Sequence, residues 1–95
     1  MQGYTRTDID ALRAAGRTVV LLDVRTAEEF ARGSVPEARH LPADRLEDAL
    51  PSLSREAVLV AVCNHGGSRS RGAAEKLRAA GFPEAGHLVG GVQGA

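Results

Sequence analysis

The sequence has few of the residues that build disulfides, metal cages and membrane spans. Its 95 residues include one cysteine, three histidines and no tryptophan. A single cysteine excludes an intramolecular disulfide, and the histidines are scattered at His40, His65 and His87, so we expect no metal site. No apolar run approaches the roughly 20 residues that a membrane span requires. We therefore expect neither a resident metal nor a membrane segment.

An excess of charge of one sign is also missing. Twelve lysines and arginines balance twelve aspartates and glutamates, for a formal net charge of +0. The arginines lie among acids, as in "RTAEEFAR", and form no basic run of the kind that follows phosphates. We do not expect nucleic-acid binding. The N-terminus "MQGYTRTDID" lacks the apolar core of a signal peptide, which predicts a cytoplasmic location.

The length and composition indicate one ordinary globular domain. A chain of 95 residues is near the lower end of the usual domain range, and 43% of its residues are hydrophobic and 25% are charged. It contains no repeat, linker or low-complexity tract. We expect a single domain over residues 1–95.

Two apolar runs predict the centre of a parallel sheet. "TVVLLDV" at 18–24 and "AVLVAVC" at 57–63 show no alternation of apolar and polar residues, which is typical of strands buried on both faces. "GHLVGG" predicts a short final strand followed by a glycine turn. Helical segments lie between these strands, and an alternation of strands and helices favours an α/β fold with helices on both faces of a mainly parallel sheet.

The helices are predicted from their end signals. Thr7 with Asp10, and Thr26 with Glu29, have the spacing of a capping box. A helix with an alanine and leucine stripe begins at about Ser70 and ends before the glycine at position 81. "ADRLEDALPSL" predicts a short helix that ends at a proline.

Cys63 stands at the carboxyl end of a predicted strand, where open α/β sheets bind their ligands. The next residues contain two adjacent glycines and lead into a helix N-terminus. Converging main-chain N–H groups and the helix dipole favour an anion there, and a thiolate is an anion. We expect a nucleophilic Cys63 with a lowered pKa rather than a buried structural thiol. The expected cradle consists of the backbone of Asn64, His65, Gly66, Gly67, Ser68, Arg69 and Ser70.

Charged side chains are expected to complete this site. Arg69 adds a fixed cation beside Cys63, and Asp23 supports neighbouring loops from the end of the first long strand. Arg25 either lines the approach to Cys63 or pairs with Glu28 or Glu29; the sequence leaves both open. His65 points most simply to solvent, His40 and His87 are interpreted as structural, and Phe30 as a core residue.

These segments resemble the rhodanese (sulfurtransferase) family over most of the chain. The similar blocks are "LLDVRTAEEFARGSVPEARHLP", "VAVCNHGGSRSRGAAEKLRAAGF" and "HLVGGVQGA". The resemblance implies a rhodanese-like three-layer sandwich with a five-stranded, mainly parallel sheet. It also implies transfer of a sulfane sulfur from a small anionic donor such as thiosulfate, through a Cys63 persulfide, to cyanide or a thiol. No cofactor is needed, and a sulfur-relay protein is a possible partner.

The active-site loop departs from the sulfurtransferase pattern by one residue. Five residues separate Cys63 from Arg69, where Cys-x-x-Gly-x-Arg-Ser has four. A Cys-x₅-Arg loop resembles the phosphatase and arsenate-reductase branch of the family, although no phosphatase-type general acid is evident. A third hypothesis is a non-catalytic binding module. The sequence does not decide whether the added residue widens the cradle or bulges away from it.

Two further departures concern a turn and the C-terminus. Ser34 stands where the family prefers histidine and Glu37 where it prefers glycine, which we interpret as tuning of a turn. The family's C-terminal helix is expected to be short or missing.

Overall fold

Five short strands form one sheet in which every neighbouring pair is parallel. A computed structural model describes residues 2–94. The spatial order of the strands is β1-β5-β4-β2-β3. Their bounds are β1 Gly3–Tyr4, β2 Val19–Asp23, β3 Arg39–His40, β4 Val58–Val62 and β5 Gly86–Leu88. The predicted parallel α/β architecture is confirmed.

The helices are short except for the first and the fourth. Their bounds are α1 Arg6–Ala14, α2 Ala27–Ala31, α3 Leu46–Ala49, α4 Ser68–Ala79 and α5 Gly91–Gly94. The single helix predicted over "ADRLEDALPSL" is instead broken, because 3₁₀ turns at Ala43–Arg45 and Leu50–Ser52 flank α3. None of the helices described is long and apolar enough to cross a membrane.

Strand β4 is buried on both faces, which explains its uninterrupted apolar sequence. Alternate residues belong to two separate hydrophobic clusters, one on each side of the sheet. The cluster that includes Ile9 of α1 takes Val58, Val60 and Val62. The cluster that includes Ala73 and Leu77 of α4 takes Leu59, Ala61 and Cys63. The side chain of Cys63 therefore lies on the α4 face, next to the helix that follows it in the chain.

Helix α1 begins two residues earlier than its predicted capping box. Thr5 is the N-cap: its Oγ1 accepts from the amide of Asp8 at 3.1 Å, and Asp8 Oδ2 accepts from the amide of Thr5 at 2.9 Å. The prediction that Thr7 and Asp10 form this box is wrong. The segment "TRTDID" contains two overlapping frames with the same spacing, so the capping pattern alone does not choose between them.

Burial of two apolar residues selects the earlier frame. With Thr5 as N-cap, Tyr4 and Ile9 occupy the two positions of a hydrophobic staple. Both are buried, at 8% and 0% exposed, in one cluster. With Thr7 as N-cap, the same positions would hold Arg6 and Ala11, which could not form a staple of this size. The free energy of burying Tyr4 and Ile9 therefore determines where the helix starts.

Helix α4 begins at Ser68, two residues before its predicted start, and its end agrees with the prediction. The C-cap is Ala80, and Gly81 follows with a φ of +104°. A left-handed glycine at this position is the expected helix terminator. The earlier start places the amides of Ser68 and its neighbours at the helix N-terminus, closer to Cys63.

Glu37 occupies a backbone conformation that favours glycine. Its φ is +70°, and the amide of Ala38 donates to the carbonyl of Val35 at 3.2 Å. Proline at position 36 followed by a residue of positive φ is the pattern of a type II turn. The interpretation of Glu37 as part of a tuned turn therefore has a physical basis in backbone strain.

Replacing Glu37 by glycine is expected to relieve that strain. Glu37→Gly should be about 1 kcal/mol more stable than Glu37→Ala, because alanine keeps the left-handed strain. Both variants lose the same partly exposed ion pair between Arg13 and Glu37, so their comparison isolates the backbone effect. Urea unfolding measures the difference. An alanine variant equal to or more stable than the glycine variant would contradict the turn assignment.

Candidate active site

The site lies where two neighbouring strands end. In the register of β2 and β4, Asp23 is opposite Val62, and Cys63 follows directly. The connection after β2 leads to β3 on one side of this pair, while the connection after β4 leads to β5 on the other. Such a divergence opens a crevice at the carboxyl ends of the strands. Cys63 and Asp23 both lie at this crevice.

Only one of the two loop glycines is required by its geometry. Gly66 has a φ of +72°, and a Cβ there would lie 2.8 Å from the carbonyl oxygen of Leu88. Gly67 has a φ of −90°, which other residues adopt, and a Cβ there would meet nothing within 4 Å. The two adjacent glycines therefore differ, because only Gly66 uses a backbone angle that other residues avoid. Gly66 lets the loop pack against the β5 segment.

The turn after β5 holds the backbone of Cys63 and Asn64 by hydrogen bonds. The amides of Val92 and Gln93 each donate at 2.9 Å, to the carbonyls of Cys63 and Asn64 respectively. Gly91 has a φ of +61°, and a Cβ on it would lie only 2.2 Å from the carbonyl oxygen of Cys63. This close backbone approach explains why residue 91 is a glycine. Sequence reasoning identified the Gly-Gly turn but not its contact with the active-site loop.

The thiol of Cys63 is buried at 3% exposed, among hydrogen-bonding groups. Its Sγ donates to Ser70 Oγ at 3.1 Å, and Ser70 Oγ donates to the carbonyl of Gly67 at 3.2 Å. Burial raises the pKa of Cys63, but hydrogen bonds from the Ser70 hydroxyl and from the amides of Ser70, Gly67 and His65 outweigh it. The net pKa is lowered, which favours the thiolate.

The serine hydroxyl can serve both ionisation states of the cysteine. It carries one proton, so it accepts from the neutral thiol while donating to the carbonyl of Gly67. When Cys63 loses its proton, the hydroxyl can rotate and donate to the sulfur instead. Ser70 is fully buried, so water does not compete for this contact. Ser70 contributes its side chain as well as the backbone amide that the sequence predicted.

A buried ion pair lies beside the cysteine loop. Asp23 and Arg25 are 0% and 4% exposed. Arg25 Nε and Nη2 donate to the Asp23 carboxylate at 2.8–3.1 Å, and Ser34 Oγ donates to the same carboxylate at 2.5 Å. Burial raises the pKa of Asp23, but these hydrogen bonds lower it by more than burial raises it. The net pKa is lowered, so the carboxyl stays ionised. Asp23 connects the segments that carry Arg25 and Ser34.

Arg25 reaches the active-site loop by a route that the sequence did not indicate. Its Nη1 donates to Asn64 Oδ1 at 2.9 Å, and its Nη2 donates to the carbonyl of Gly33 at 2.7 Å. It forms no ion pair with either Glu28 or Glu29, so that alternative is wrong. The Arg25 carbonyl is held by His40 Nε2 at 2.8 Å. The His40 ring stacks on Phe30, which is half-buried rather than in the core.

Glu29 has two roles, of which the sequence indicated one. It closes the capping box of α2 with Thr26, as predicted. Its carboxylate also accepts from Arg69 Nη1 and Nη2 at 2.8 and 3.2 Å and from Asn64 Nδ2 at 2.8 Å. These contacts, led by the Arg69 hydrogen bonds, hold the pKa of Glu29 well below its usual range. Glu29 therefore holds the Arg69 guanidinium at the rim of the loop.

The loop lines a small cavity at the cysteine that is open to solvent. Its volume is about 200 Å³, and Cys63, Asn64, His65, Gly67, Ser68 and Arg69 line it. The side chains of His65, Ser68 and Arg69 are exposed. Gly66 and Ser70 lie behind this lining and are buried. Among residues 2–94, no three histidine, cysteine, aspartate or glutamate side chains come together as metal ligands.

This fold and this site define a class of α/β domain with a cysteine mounted on an anion-binding loop. The chain belongs to the rhodanese-like domain family, whose model matches residues 5–95. Its relatives include the thiosulfate sulfurtransferase GlpE of Ectopseudomonas mendocina. The two are 38% identical over 82 residues, covering 86% of this chain and 72% of GlpE.

Relatives of very different lengths share the domain. The chain is 36% identical over 85 residues to the adenylyltransferase and sulfurtransferase MOCS3-1 of Zea mays, and the match covers 82% of this chain. It spans only 18% of that protein's length. The structure of the human single-domain sulfurtransferase TSTD1 superimposes with a TM-score of 0.76 at 28% identity, covering 100% of this chain and 92% of TSTD1.

Removing the Ser70 hydroxyl is expected to raise the pKa of Cys63. In Ser70→Ala the thiolate loses one hydrogen-bond donor, so alkylation by iodoacetamide at neutral pH should slow roughly threefold to tenfold. The matched control is Ser68→Ala, which removes an exposed hydroxyl from the same loop. The pH dependence of alkylation measures the change. Equal profiles for the two variants would contradict a role for the Ser70 side chain.

Proposed function

We propose that the chain is a sulfurtransferase that carries a sulfane sulfur on Cys63. The observation that carries the proposal is the convergence of the Ser70 hydroxyl and loop amides on Sγ, which lowers the pKa of a buried thiol. A buried structural thiol needs no such donors, whereas a nucleophile and an anionic persulfide need them. GlpE and TSTD1 are both named as sulfurtransferases, and the similarity of this chain to them supports the same chemistry. We propose one catalytic domain over residues 1–95.

The first half-reaction loads the cysteine. The Cys63 thiolate attacks the outer sulfur of thiosulfate or a similar donor, a new S–S bond forms, and the old S–S bond breaks. Sulfite leaves with the bonding electron pair. The amides of His65, Gly67 and Ser70 stabilise the negative sulfur throughout. Because these donors are fixed before the reaction, little reorganisation is needed when the charge moves.

The second half-reaction removes the sulfane sulfur from Cys63. Cyanide or a thiolate attacks the terminal sulfur of the persulfide, and the S–S bond electrons return to Cys63 as a thiolate. The product is thiocyanate or an acceptor persulfide. The same step serves a thiol on a protein partner, so we include a sulfur-relay protein among the acceptors. The chemistry is suited to a reducing cytoplasm.

A second candidate function rests on the length of the loop. Five residues between Cys63 and Arg69 match the phosphatase and arsenate-reductase spacing. In that reaction the thiolate would attack phosphorus or arsenic rather than sulfur. Near Cys63 the described carboxylates are Asp23 and Glu29, and both are held by arginines. Neither is free to protonate a leaving group, so we favour sulfur transfer.

Formation of the persulfide on Cys63 is the direct test of sulfur transfer. After incubation with thiosulfate, the intact mass should increase by one sulfur atom, and cyanide should remove that sulfur as thiocyanate. Cys63→Ser should take up no sulfur and lose turnover, because a serine hydroxyl cannot form the persulfide. Hydrolysis of an aryl phosphate is assayed on the same preparation. Phosphate release without sulfur uptake would establish the second candidate, and an unreactive thiol would indicate a binding module.

Arg69 is expected to help bind the donor. Arg69→Ala should lower kcat/KM for thiosulfate by about tenfold to a hundredfold, since a hydrogen bond to a charged group contributes roughly 1.5–3 kcal/mol. The loss also leaves the Glu29 carboxylate unpaired beside the anionic donor. Lys76→Ala removes the same charge from the exposed far part of α4 and controls for net charge. Equal kcat/KM values for the two variants would exclude a local role for Arg69.

A further inference from the structure

A second cavity adjoins the cysteine cavity. Its volume is about 370 Å³, and Arg32, Asn64, Val92 and Gln93 are among its lining residues. We call it the side cavity. Asn64 also lines the cavity of about 200 Å³ around Cys63. The two spaces therefore share a wall at the first residue after the cysteine, and Cys63 itself lines the smaller cavity.

The side cavity carries one uncompensated positive charge. Arg25 is balanced by Asp23, and Glu29 is balanced by Arg69. Arg32 is exposed, and the structure shows no ion pair for it within residues 2–94. Since the other charges in the lining cancel, the cavity favours a ligand with one negative group. That group would lie at Arg32, away from Cys63.

The rest of the lining fits the body of a small organic molecule. Val92 offers a half-buried apolar surface, and Gln93 offers an exposed amide group. A volume of about 370 Å³ is within the usual range for small-molecule sites, whereas the cysteine cavity is below it. The cysteine cavity is suited to the compact inorganic donor. The side cavity is suited to a larger reaction partner.

We propose that the side cavity binds the sulfur acceptor and selects a small thiol that carries a carboxylate. This inference rests on the proposed sulfurtransferase function. The carboxylate pairs with Arg32, and the thiol sulfur lies over Asn64 towards the Cys63 persulfide. The acceptor thiol loses its proton to solvent, its sulfur attacks the terminal persulfide sulfur, and the S–S bond to Cys63 breaks. Cys63 returns to the thiolate, and the acceptor leaves as a persulfide.

Acceptor preference tests this assignment. The probes are 3-mercaptopropionate, which carries a carboxylate, and 2-mercaptoethanol, which does not, each with thiosulfate as donor. Arg32→Gln should lower the ratio of kcat/KM for the charged thiol over the neutral thiol roughly fivefold. The matched control is Arg45→Gln, because Arg45 is exposed and lines a different cavity beside Arg25 and Arg69. The control should keep the wild-type ratio.

The donor provides an internal comparison, because thiosulfate is also an anion. The rate of sulfur uptake by Cys63, followed by intact mass, should change less in Arg32→Gln than the reaction of the charged thiol. An unchanged acceptor ratio, or equal losses for thiosulfate and the charged thiol, would overturn the acceptor assignment. If wild-type protein takes up no sulfur, the proposed function fails, and the inference fails with it. Sulfur uptake with an unchanged ratio overturns the inference alone.

Discussion

The buried ion pair of Asp23 and Arg25 is the interaction on which the site depends. Two charges at 0% and 4% exposed are costly to remove from water unless their remaining hydrogen bonds are also satisfied. In this site those hydrogen bonds are satisfied. Asp23 accepts from Ser34 and from the Arg25 amide, and Arg25 donates to Gly33 and Asn64. Removing one partner would leave a buried charge, at a cost of about 3–5 kcal/mol.

From this pair a chain of contacts extends to the rim of the active site. Arg25 holds Asn64, Asn64 holds Glu29, and Glu29 holds Arg69. Asn64 is the first residue after the cysteine, so the network fixes the loop from the β2 side. Gly91 packs against the carbonyl of Cys63 from the opposite direction. The loop amides are therefore held in place whether the sulfur is neutral or charged, which is the condition for electrostatic stabilisation without reorganisation.

The sequence was sufficient for the features that burial or local spacing controls. The long strands β2 and β4 could be predicted because burial on both faces removes alternation, and the position of Cys63 follows from the end of β4. The capping box of Thr26 and Glu29 is a local pattern and is confirmed. The box at Thr5 could also have been found, since only that frame provides the Tyr4 and Ile9 staple.

Contacts between distant segments could not be predicted from the sequence. Strands β1 and β3 have two residues each, too few for a period to be visible. Glu29 and Arg69 are 40 residues apart, and nothing in either segment indicates that they meet. The support of Cys63 by Gly91 likewise depends on how the final turn packs. These contacts follow from the sheet order, which places the segments after β2, β4 and β5 at one end.

The central claim is that the loop amides and Ser70 form a preorganised site for a negatively charged sulfur on Cys63. A crystal structure of the thiosulfate-treated protein tests it most directly. The account predicts one additional sulfur bonded to Cys63 Sγ, inside the cavity and within hydrogen-bond distance of main-chain N–H groups of the loop. An additional sulfur that points away from those amides, or a cysteine that remains unmodified while the donor is consumed, would contradict it.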